Sequence, residues 1–399
     1  MKKIPYNYLY IFFCLIILTS ILVSSDNILS TLPIYHRYKF QDLKYIFEYG
    51  DCLNLINISN CREYVDFPFV YPRIWVFISK IINFYQAQVV YILLVFGYLY
   101  ISFLSFKNLK KKYYFHFFFF FSPASLLLIT RANNDILIFF LTYLSVTLLT
   151  NKKFIYKIFS FSLFIISFLL KIYSLFLIII YYTNRKNFDK KNLLFFFVFL
   201  FFFYLFSLEI LEINKIYNKS KFIAAYRSDL IFDLFNYAYP KIQINTKLLS
   251  MILLLCIMIG SFLYKNKLNI QTSKKNFLLF ISGSIILSTS FFFSNTFDYK
   301  LIFILFVIPA LIEIKNKNKT SLINFILIII YLVIWFEFFI FYYSEYINYG
   351  TNKLIYVNEN NHKIYILGFL LFLKNIFQWM LNIFLIFISK KIIFNGFSK

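Results

Sequence analysis

Two aspartates that follow the first apolar run of the chain could serve as a general base. Asp42 stands in the segment Phe40-Gln41-Asp42-Leu43-Lys44-Tyr45, and Asp51 follows in Tyr49-Gly50-Asp51. A carboxylate placed near a substrate can take the proton from a hydroxyl group as that hydroxyl attacks. The structural alternative is a solvated loop acid, or a capping residue for a helix over 42–48. Spacing alone leaves both interpretations open.

A second polar segment, 130–135, joins two apolar runs. Its arginine, Arg131, could pair with Asp135 four residues later in a purely structural ion pair. The planar guanidinium of Arg131 is equally suited to binding a phosphate. Asn133 and Asn134 could form hydrogen bonds with sugar hydroxyls. Because polar groups between apolar helices are costly unless paired, the segment is either a structural network or a binding site.

Lys171 interrupts an apolar stretch of the chain and is followed closely by Tyr173. An ionisable residue inside such a stretch is a functional candidate, here for binding the phosphate of a lipid. The alternative is a lysine that extends its ammonium group to the lipid headgroups without further function.

A short polar turn, 294–300, contains Asp298 and Lys300 on either side of a tyrosine. It could be a helix cap with an interfacial aromatic residue, or it could contribute to a polar cavity. In the first long polar segment, Cys52 and Cys61 are either disulfide-bonded or free thiols. No His or Cys pair has zinc-ligand spacing, so we expect no metal site.

The composition restricts the class of protein. The 399 residues are 61% hydrophobic, with a formal net charge of +24. A soluble domain is roughly 45–50% apolar, so the excess indicates contact with lipid. The basic residues form short clusters between apolar runs, which is typical of anchoring against anionic lipid rather than of nucleic-acid binding. No nucleotide-binding loop and no Gly-x-Ser-x-Gly motif is present.

Apolar runs long enough to cross a bilayer recur along the whole chain. They predict an all-α membrane protein, a polytopic bundle of about 11–12 transmembrane helices in one domain, 1–399. The predicted spans are 8–23, 87–106, 113–130, 135–150, 154–170, 173–183, 193–211, 247–264, 276–293, 301–314, 322–343 and 364–389.

The distribution of charge predicts the orientation of these spans. Lysine and arginine clusters fall on one side of the map, which the positive-inside rule makes cytoplasmic together with both termini. Both termini on one side require an even number of spans, which favours 12. Of the 17 acidic residues, only Asp189 and Glu313 fall on that side. We therefore expect long outer loops at 24–86 and 212–246 and a site facing outside.

Several short motifs, in their order along the chain, resemble those of bacterial glycosyltransferase family 87. The resemblance covers about residues 36 to 310. It rests on Phe40-Gln41-Asp42-Leu43-Lys44, Gly50-Asp51, Tyr71-Pro72-Arg73-Ile74-Trp75, Arg131-Ala132-Asn133-Asn134-Asp135, Lys171-Ile172-Tyr173 and Asn295 to Leu301.

The resemblance implies the C-type membrane glycosyltransferase architecture and an inverting transfer of a sugar from a polyprenyl phosphate. In such an enzyme Asp42 would be the base, with Asp51 as the second choice, and Lys171 would lie near the donor phosphate. The residues that would bind substrate are Arg73, Arg131, Asn133, Asn134, Asp135, Lys171, Tyr173, Asp298 and Lys300. The chain departs from the family pattern at Ala132, where Gly is expected, at Ser174, where Pro is expected, and at Lys300, where Arg is expected.

The resemblance therefore implies a hexosyltransferase for mannose or a related sugar, acting in the bacterial inner (plasma) membrane. Its partners would be a polyprenyl-phosphate-linked sugar, a glycan or glycolipid acceptor and the lipid bilayer, with no nucleic acid. We expect no cofactor; a divalent cation is compatible with the pattern but nothing in the pattern indicates one. The alternatives are a transporter or flippase for lipid-linked sugars and an inactive membrane scaffold. A transporter tends to show inverted repeats and broken helices, and no repeat is visible in the sequence.

Overall fold

The fold is taken from a computed structural model of the chain. The residues that the structure describes are 40–55, 72, 74–106, 119, 122–183, 197, 200–201, 203–204, 225–239, 241, 244–263, 272–293, 296–318, 321–344 and 362–395. The predicted span 8–23, most of the predicted span 193–211, residues 113–118 and 120–121 of the predicted span 113–130, Cys61 and Arg73 lie outside these residues.

Helices dominate the described residues. They are α1 (Gln41–Leu55), α2 (Ile74–Ile81), α3 (Phe84–Phe106), α4 (Pro123–Arg131), α5 (Asp135–Leu149), α6 (Phe154–Leu170), α7 (Ile179–Thr183), α8 (Leu230–Ala238), α9 (Thr246–Leu263), α10 (Lys274–Phe293), α11 (Ile304–Asn318), α12 (Ser321–Ser344) and α13 (His362–Asn395). Two 3-10 helices, Ile172–Ile178 and Asp298–Phe303, precede α7 and α11. Strands β1 (Ala225–Tyr226) and β2 (Thr296–Phe297) form one short antiparallel pair.

Four described helices are long and apolar enough to cross a bilayer. The spanning segments are Phe84–Ser105, Lys274–Phe293, Ser321–Ile340 and Ile366–Lys390. The bent pair α4 and α5 would make a fifth if it forms one broken span. These helices confirm the expectation of a helical integral membrane protein, and they coincide with four of the predicted spans.

Other predicted spans differ in detail from the helices observed. Segments 135–150, 154–170 and 247–264 are helices of 15, 17 and 18 residues. Segment 173–183 is mostly a 3-10 helix followed by the five-residue α7. Segment 301–314 likewise begins in a 3-10 helix before α11 starts.

The second 3-10 helix and α11 form the centre of the bundle, where nearly every side chain is buried. The backbone of this segment approaches α10 closely at Gly283, where an added Cβ would lie 2.7 Å from the Phe303 carbonyl oxygen. Phe306 stacks on Phe139 of α5 with ring centroids 4.3 Å apart. A closely packed core tolerates little displacement. It therefore holds the polar residues at the start of the second 3-10 helix in a fixed position.

The regular helices are interrupted at three points, here called breaks, which bring polar residues to the interior. Helices α4 and α5 meet at 106°, and Ala132 between them adopts a left-handed conformation with φ 53° and ψ 49°. Lys171 lies in extended conformation between α6 and the first 3-10 helix. The third break is at the second 3-10 helix, which follows β2. Non-helical backbone of this kind is tolerated at membrane depth where it is buried in protein.

Two long-range hydrogen bonds fix the first described helices against these breaks. The Phe40 N–H donates to the Thr130 carbonyl oxygen at 2.9 Å, which places the start of α1 beside the end of α4. The Trp75 indole N–H donates to the Leu170 carbonyl oxygen at 3.0 Å, which places α2 beside Lys171. The segment that was predicted as an outer loop, 24–86, therefore contributes two helices to the described bundle.

Candidate active site

Asp42 lies in the first turn of α1 and contacts the break between α4 and α5. The Arg131 Nε–H donates to Asp42 Oδ1 at 2.7 Å, and a second guanidinium nitrogen contacts the same oxygen. The Asn133 amide donates to Asp42 Oδ2 at 2.5 Å. Asp42 is 2% exposed. A buried carboxylate of this kind is stable only because cationic and amide donors occupy both of its oxygens.

Asp135, the first residue of α5, contacts hydrogen-bond donors that lie at or near the two other breaks. Its Oδ1 lies 2.8 Å from Lys300 Nζ and 3.4 Å from Lys171 Nζ, and it also accepts the Tyr173 hydroxyl. Lys300 Nζ lies 3.5 Å from the centroid of the Tyr173 ring, so the ammonium also gains a cation–π contact. Four residues predicted to bind substrate therefore meet in the structure.

Asn133 joins the two carboxylates into one network. Its side-chain nitrogen donates to Asp42, while its side-chain oxygen accepts the Asp135 backbone N–H at 2.9 Å. With every group in its usual ionisation state, Asp42 and Asp135 carry two negative charges against three positive charges on Arg131, Lys171 and Lys300. We call these six residues with Tyr173 the Asp42–Asp135 network. Its net positive charge suits an anionic ligand.

Three buried polar atoms in or beside the Asp42–Asp135 network have no hydrogen-bond partner among the described residues. They are Asp135 Oδ2 within the network, and the Asn134 side-chain nitrogen and Gln41 Oε1 on residues adjacent to it in sequence. Buried polar atoms are normally satisfied, so such atoms concentrate where a ligand or water completes the site. The network therefore offers both donors and acceptors beyond those used within the protein.

Lys300 lies in the second 3-10 helix, outside the candidate spans. Burial lowers the pKa of its amine well below the ordinary value, while the neighbouring Asp135 carboxylate acts in the opposite direction. Desolvation disfavours the charged amine, and an added anion would favour it. A second negative charge beside Lys300 would therefore stabilise its ammonium form.

The remaining predicted site residues are placed differently. Asp51 is exposed on α1. Its neighbour Gly50 lies against α2, where an added Cβ would be 2.0 Å from the Ser79 hydroxyl oxygen. Cys52 is disulfide-bonded, and its predicted partner lies outside the described residues, as does Arg73. Asn134 is buried beside Asp135.

Asp298 belongs to a second network rather than to the first. Its Oδ2 lies 2.5 Å from Lys374 Nζ, and its Oδ1 accepts the Gln378 amide at 3.0 Å. Lys374 also contacts Glu337. Sequence reasoning missed Glu337, Lys374 and Gln378 because each stands inside an apolar run. The rule that selected Lys171, an ionisable residue within such a run, would have found Glu337 and Lys374.

A third group of charges lies next to the second network. Arg227 pairs with Asp229 at 3.0 Å and with Asp233 at 2.5 Å. The Asn375 amide donates to the Arg227 carbonyl oxygen at 2.9 Å and to Gln378 Oε1 at 3.1 Å. Residues of α13 therefore connect the 225–233 segment to the network around Lys374.

A small cavity lies between α5, α6 and the first 3-10 helix. Its polar lining is formed by hydroxyl groups, on Thr142, Ser145, Ser167 and Tyr181, and it includes no charged residue. Since the charged residues lie elsewhere, we attribute the cavity to packing and place the candidate site at the Asp42–Asp135 network.

Within the described residues, no group of three or more His, Cys, Asp or Glu side chains is arranged to hold a metal ion. Comparison of the chain with protein-family models, with curated protein sequences and with solved structures gives no match.

Proposed function

We propose that the chain is a membrane glycosyltransferase that moves a sugar from a polyprenyl phosphate to an acceptor hydroxyl, with inversion. The observation that carries this proposal is the Asp42–Asp135 network, in which a candidate base lies beside a buried group of cations. The resemblance of its motifs to glycosyltransferase family 87 agrees with the proposal. The C-type architecture, with about 11–12 transmembrane helices and a site facing outside, is part of it.

Lys171 and Lys300 are the proposed phosphate ligands. Both ammonium groups contact Asp135, and Arg131 is connected to Asp135 through Asp42 and Asn133. The phosphodiester of the donor carries one negative charge, and the released lipid phosphate carries a second. Cations held in place before the reaction stabilise this developing charge without rearrangement, and such a contribution is often the largest in catalysis.

Asp42 is the proposed base. It is buried within the network, whereas Asp51 is exposed. Its oxygens accept hydrogen bonds from Arg131 and Asn133, which fix the direction of the carboxylate. A carboxylate has about four lone-pair positions, so these contacts leave Asp42 able to accept a substrate proton.

The proposed reaction is a single displacement. The acceptor oxygen forms a bond to the anomeric carbon as the bond from that carbon to the phosphate oxygen breaks. The acceptor proton passes to Asp42, and the electron pair of the broken bond stays with the lipid phosphate beside Lys171 and Lys300. Attack opposite to the leaving group inverts the anomeric centre. The step needs neither a nucleotide nor a redox partner.

A transporter or flippase for lipid-linked sugars is the second candidate. The observation that favours it is the network around Lys374, where Asp298 and Glu337 are buried among helices. Ionisable groups inside a membrane bundle are typical of ion and proton pathways as well as of catalytic sites. A transporter would leave the bond between sugar and phosphate intact, which makes the two candidates distinguishable.

A transfer assay with purified protein tests the proposal. The donor panel would contain short-chain polyprenyl phosphates that carry radiolabelled mannose, glucose or N-acetylglucosamine, with glycolipid acceptors of the same membrane. We expect release of polyprenyl phosphate and a labelled, inverted product with at least one donor. Asp42→Asn should abolish release, and Asp51→Asn serves as the matched carboxyl-to-amide control on the same helix.

One result would count against the choice of base and another against the enzyme. Release at the same rate from wild type and Asp42→Asn would remove Asp42 from the mechanism. Movement of intact labelled lipid between the leaflets of a vesicle, without bond cleavage, would favour the transporter.

A further inference from the structure

The network around Lys374 contains more acid than base. Lys374 extends from α13 between Asp298, the first residue of the second 3-10 helix, and Glu337 of α12. The side chains of Asp298 and Lys374 are fully buried, and that of Glu337 is 6% exposed. One ammonium group therefore contacts two carboxyl groups in the interior of the bundle.

Asp298 and Glu337 both contact the same Lys374 Nζ, so the two carboxyl groups lie close to each other. Two ionised carboxylates held side by side would repel each other in a medium of low dielectric constant. One ammonium group balances only one of the two negative charges, and an uncompensated buried charge is strongly unfavourable. A proton on one carboxyl group removes the second charge, which leads to one proton for the pair.

We propose that Asp298 and Glu337 form a proton-binding site in which the two side chains share one proton at neutral pH, while Lys374 pairs with the remaining negative charge. The proton belongs to the pair rather than to either residue. The proposal concerns the protein alone and does not depend on sugar transfer.

The surroundings of the pair fit a proton better than a metal ion. The polar groups that contact the pair include the Lys374 ammonium and the Gln378 amide, which donates to Asp298 Oδ1 at 3.0 Å. Both are hydrogen-bond donors, and a hard cation instead needs several oxygen ligands around it. Burial raises the pKa of Asp298 well above its ordinary value, Lys374 opposes this rise, and Glu337 adds to it.

Other charged or titratable groups on neighbouring elements already have their own contacts. On β1 the Tyr226 hydroxyl accepts the Asn382 amide at 3.0 Å. Arg227, which follows β1, pairs with Asp229 and Asp233. On the second 3-10 helix, Lys300 contacts Asp135. On α4, Arg131 contacts Asp42. Arg227, Lys300 and Arg131 each pair with a carboxylate other than Asp298 or Glu337. Lys374, in contrast, contacts Asp298 directly.

The position of the pair gives the proton a consequence for the candidate site. Asp298 begins the six-residue 3-10 helix whose third residue is Lys300. Loss of the proton would place two negative charges against Lys374, at the first residue of the helix that carries Lys300. Any effect of the proton on catalysis through Lys300 rests on the proposed function.

Infrared spectroscopy of the full chain tests the proposal directly. A protonated carboxyl group has a carbonyl stretching band separate from the carboxylate bands, and this band shifts on exchange into D2O. We expect the band in wild type at neutral pH and its loss in both Asp298→Asn and Glu337→Gln, because the one remaining carboxylate would pair with Lys374. Glu313→Gln is the matched control and should keep the band, since Glu313 accepts the Ser273 N–H at 2.9 Å at a separate position.

A wild-type spectrum without the band, or a band that survives in both single variants, would overturn the proposal. Loss of the wild-type band on adding Na⁺ or K⁺ would also overturn it, because the site would then hold a metal ion.

Thermal unfolding of the same variants provides a second measurement. An amide can replace a protonated carboxyl group, so each single variant should keep a Tm near that of wild type. The double variant Asp298→Asn/Glu337→Gln leaves the buried Lys374 ammonium uncompensated and should lose Tm strongly. Adding Lys374→Met to the double variant should recover much of the loss. Single variants as unstable as the double variant would contradict a shared proton.

Discussion

Replacing Lys300 by Met would test how the candidate site binds phosphate. The substitution keeps a long unbranched side chain and removes the ammonium group that lies 2.8 Å from Asp135 Oδ1 and 3.5 Å from the Tyr173 ring centroid. Asp135 would keep Lys171, at 3.4 Å, as a cationic partner. We therefore expect the fold to survive while the site loses its net positive charge.

The size of the effect follows from the interactions lost. A hydrogen bond to a charged group contributes about 1.5–3 kcal/mol, which corresponds to roughly a tenfold to hundredfold weaker binding of the donor. The leaving phosphate gains a second charge in the transition state, and removing one electrostatic donor from such a site costs about 10²–10³ in kcat. Lys300→Met should therefore raise the donor KM and lower kcat as well.

The assay is steady-state transfer from a short-chain polyprenyl-phosphate sugar, with lipid phosphate binding measured separately. Lys44→Met is the matched control, because Lys44 is exposed and pairs with Glu48, four residues later on α1, at a position away from the Asp42–Asp135 network. Exposed pairs of this kind contribute about 0–1 kcal/mol. Unchanged kinetics for Lys300→Met, or an equal loss in Lys44→Met, would refute the phosphate role of Lys300.

Three further predictions follow from the same contacts. Asp42→Asn should lose transfer by several orders of magnitude while Asp51→Asn keeps most of it, as measured by product formation; comparable losses in the two variants would refute the choice of base. Ala132→Gly should raise the free energy of unfolding by up to about 1 kcal/mol, because glycine adopts the left-handed conformation without strain; a loss of stability in thermal unfolding would contradict this. The donor KM should be low below the depressed pKa of Lys300 and should rise as pH increases through it, because only the ammonium form binds phosphate. Lys300→Arg should flatten that profile, since arginine stays protonated, and an unchanged profile would count against Lys300.

Two of the breaks could be predicted from the sequence, because polar or charged residues interrupt the apolar runs there. Lys171 is charged within an apolar run, and 130–135 is a polar segment between two such runs. Both features are visible within a few residues, and both proved to contribute to the Asp42–Asp135 network. The predicted helical membrane class follows in the same way from the length of the apolar runs.

The pairing of charges was not predictable, because it depends on chain geometry. Arg131 and Asp135 are four residues apart, a spacing that makes an ion pair on one continuous helix. In the structure Ala132 turns left-handed and the chain bends by 106°. The four-residue rule then no longer applies, and Arg131 meets Asp42, 89 residues away along the chain.

The network around Lys374 shows a second limit of sequence reasoning. Glu337 is the one charged residue of α12, and Lys374 is the one charged residue between Lys363 and Lys390 of α13. A hydropathy average tolerates such isolated charges. Lys374 contacts Glu337, 37 positions away, and Asp298, 76 positions away, so no local pattern reveals these contacts. A search for isolated charges within apolar runs would have named Glu337 and Lys374, but it would not have paired them.

Cleavage of the bond between sugar and phosphate in the donor distinguishes a transferase from a transporter. Purified protein in vesicles would be given polyprenyl-phosphate sugars labelled in both the sugar and the lipid, with an acceptor glycolipid. We predict that the two labels separate, with polyprenyl phosphate released and the sugar inverted on the acceptor, and that Asp42→Asn prevents the separation. Labels that stay together while the lipid crosses the bilayer, or that separate equally in Asp42→Asn, would contradict the proposed function.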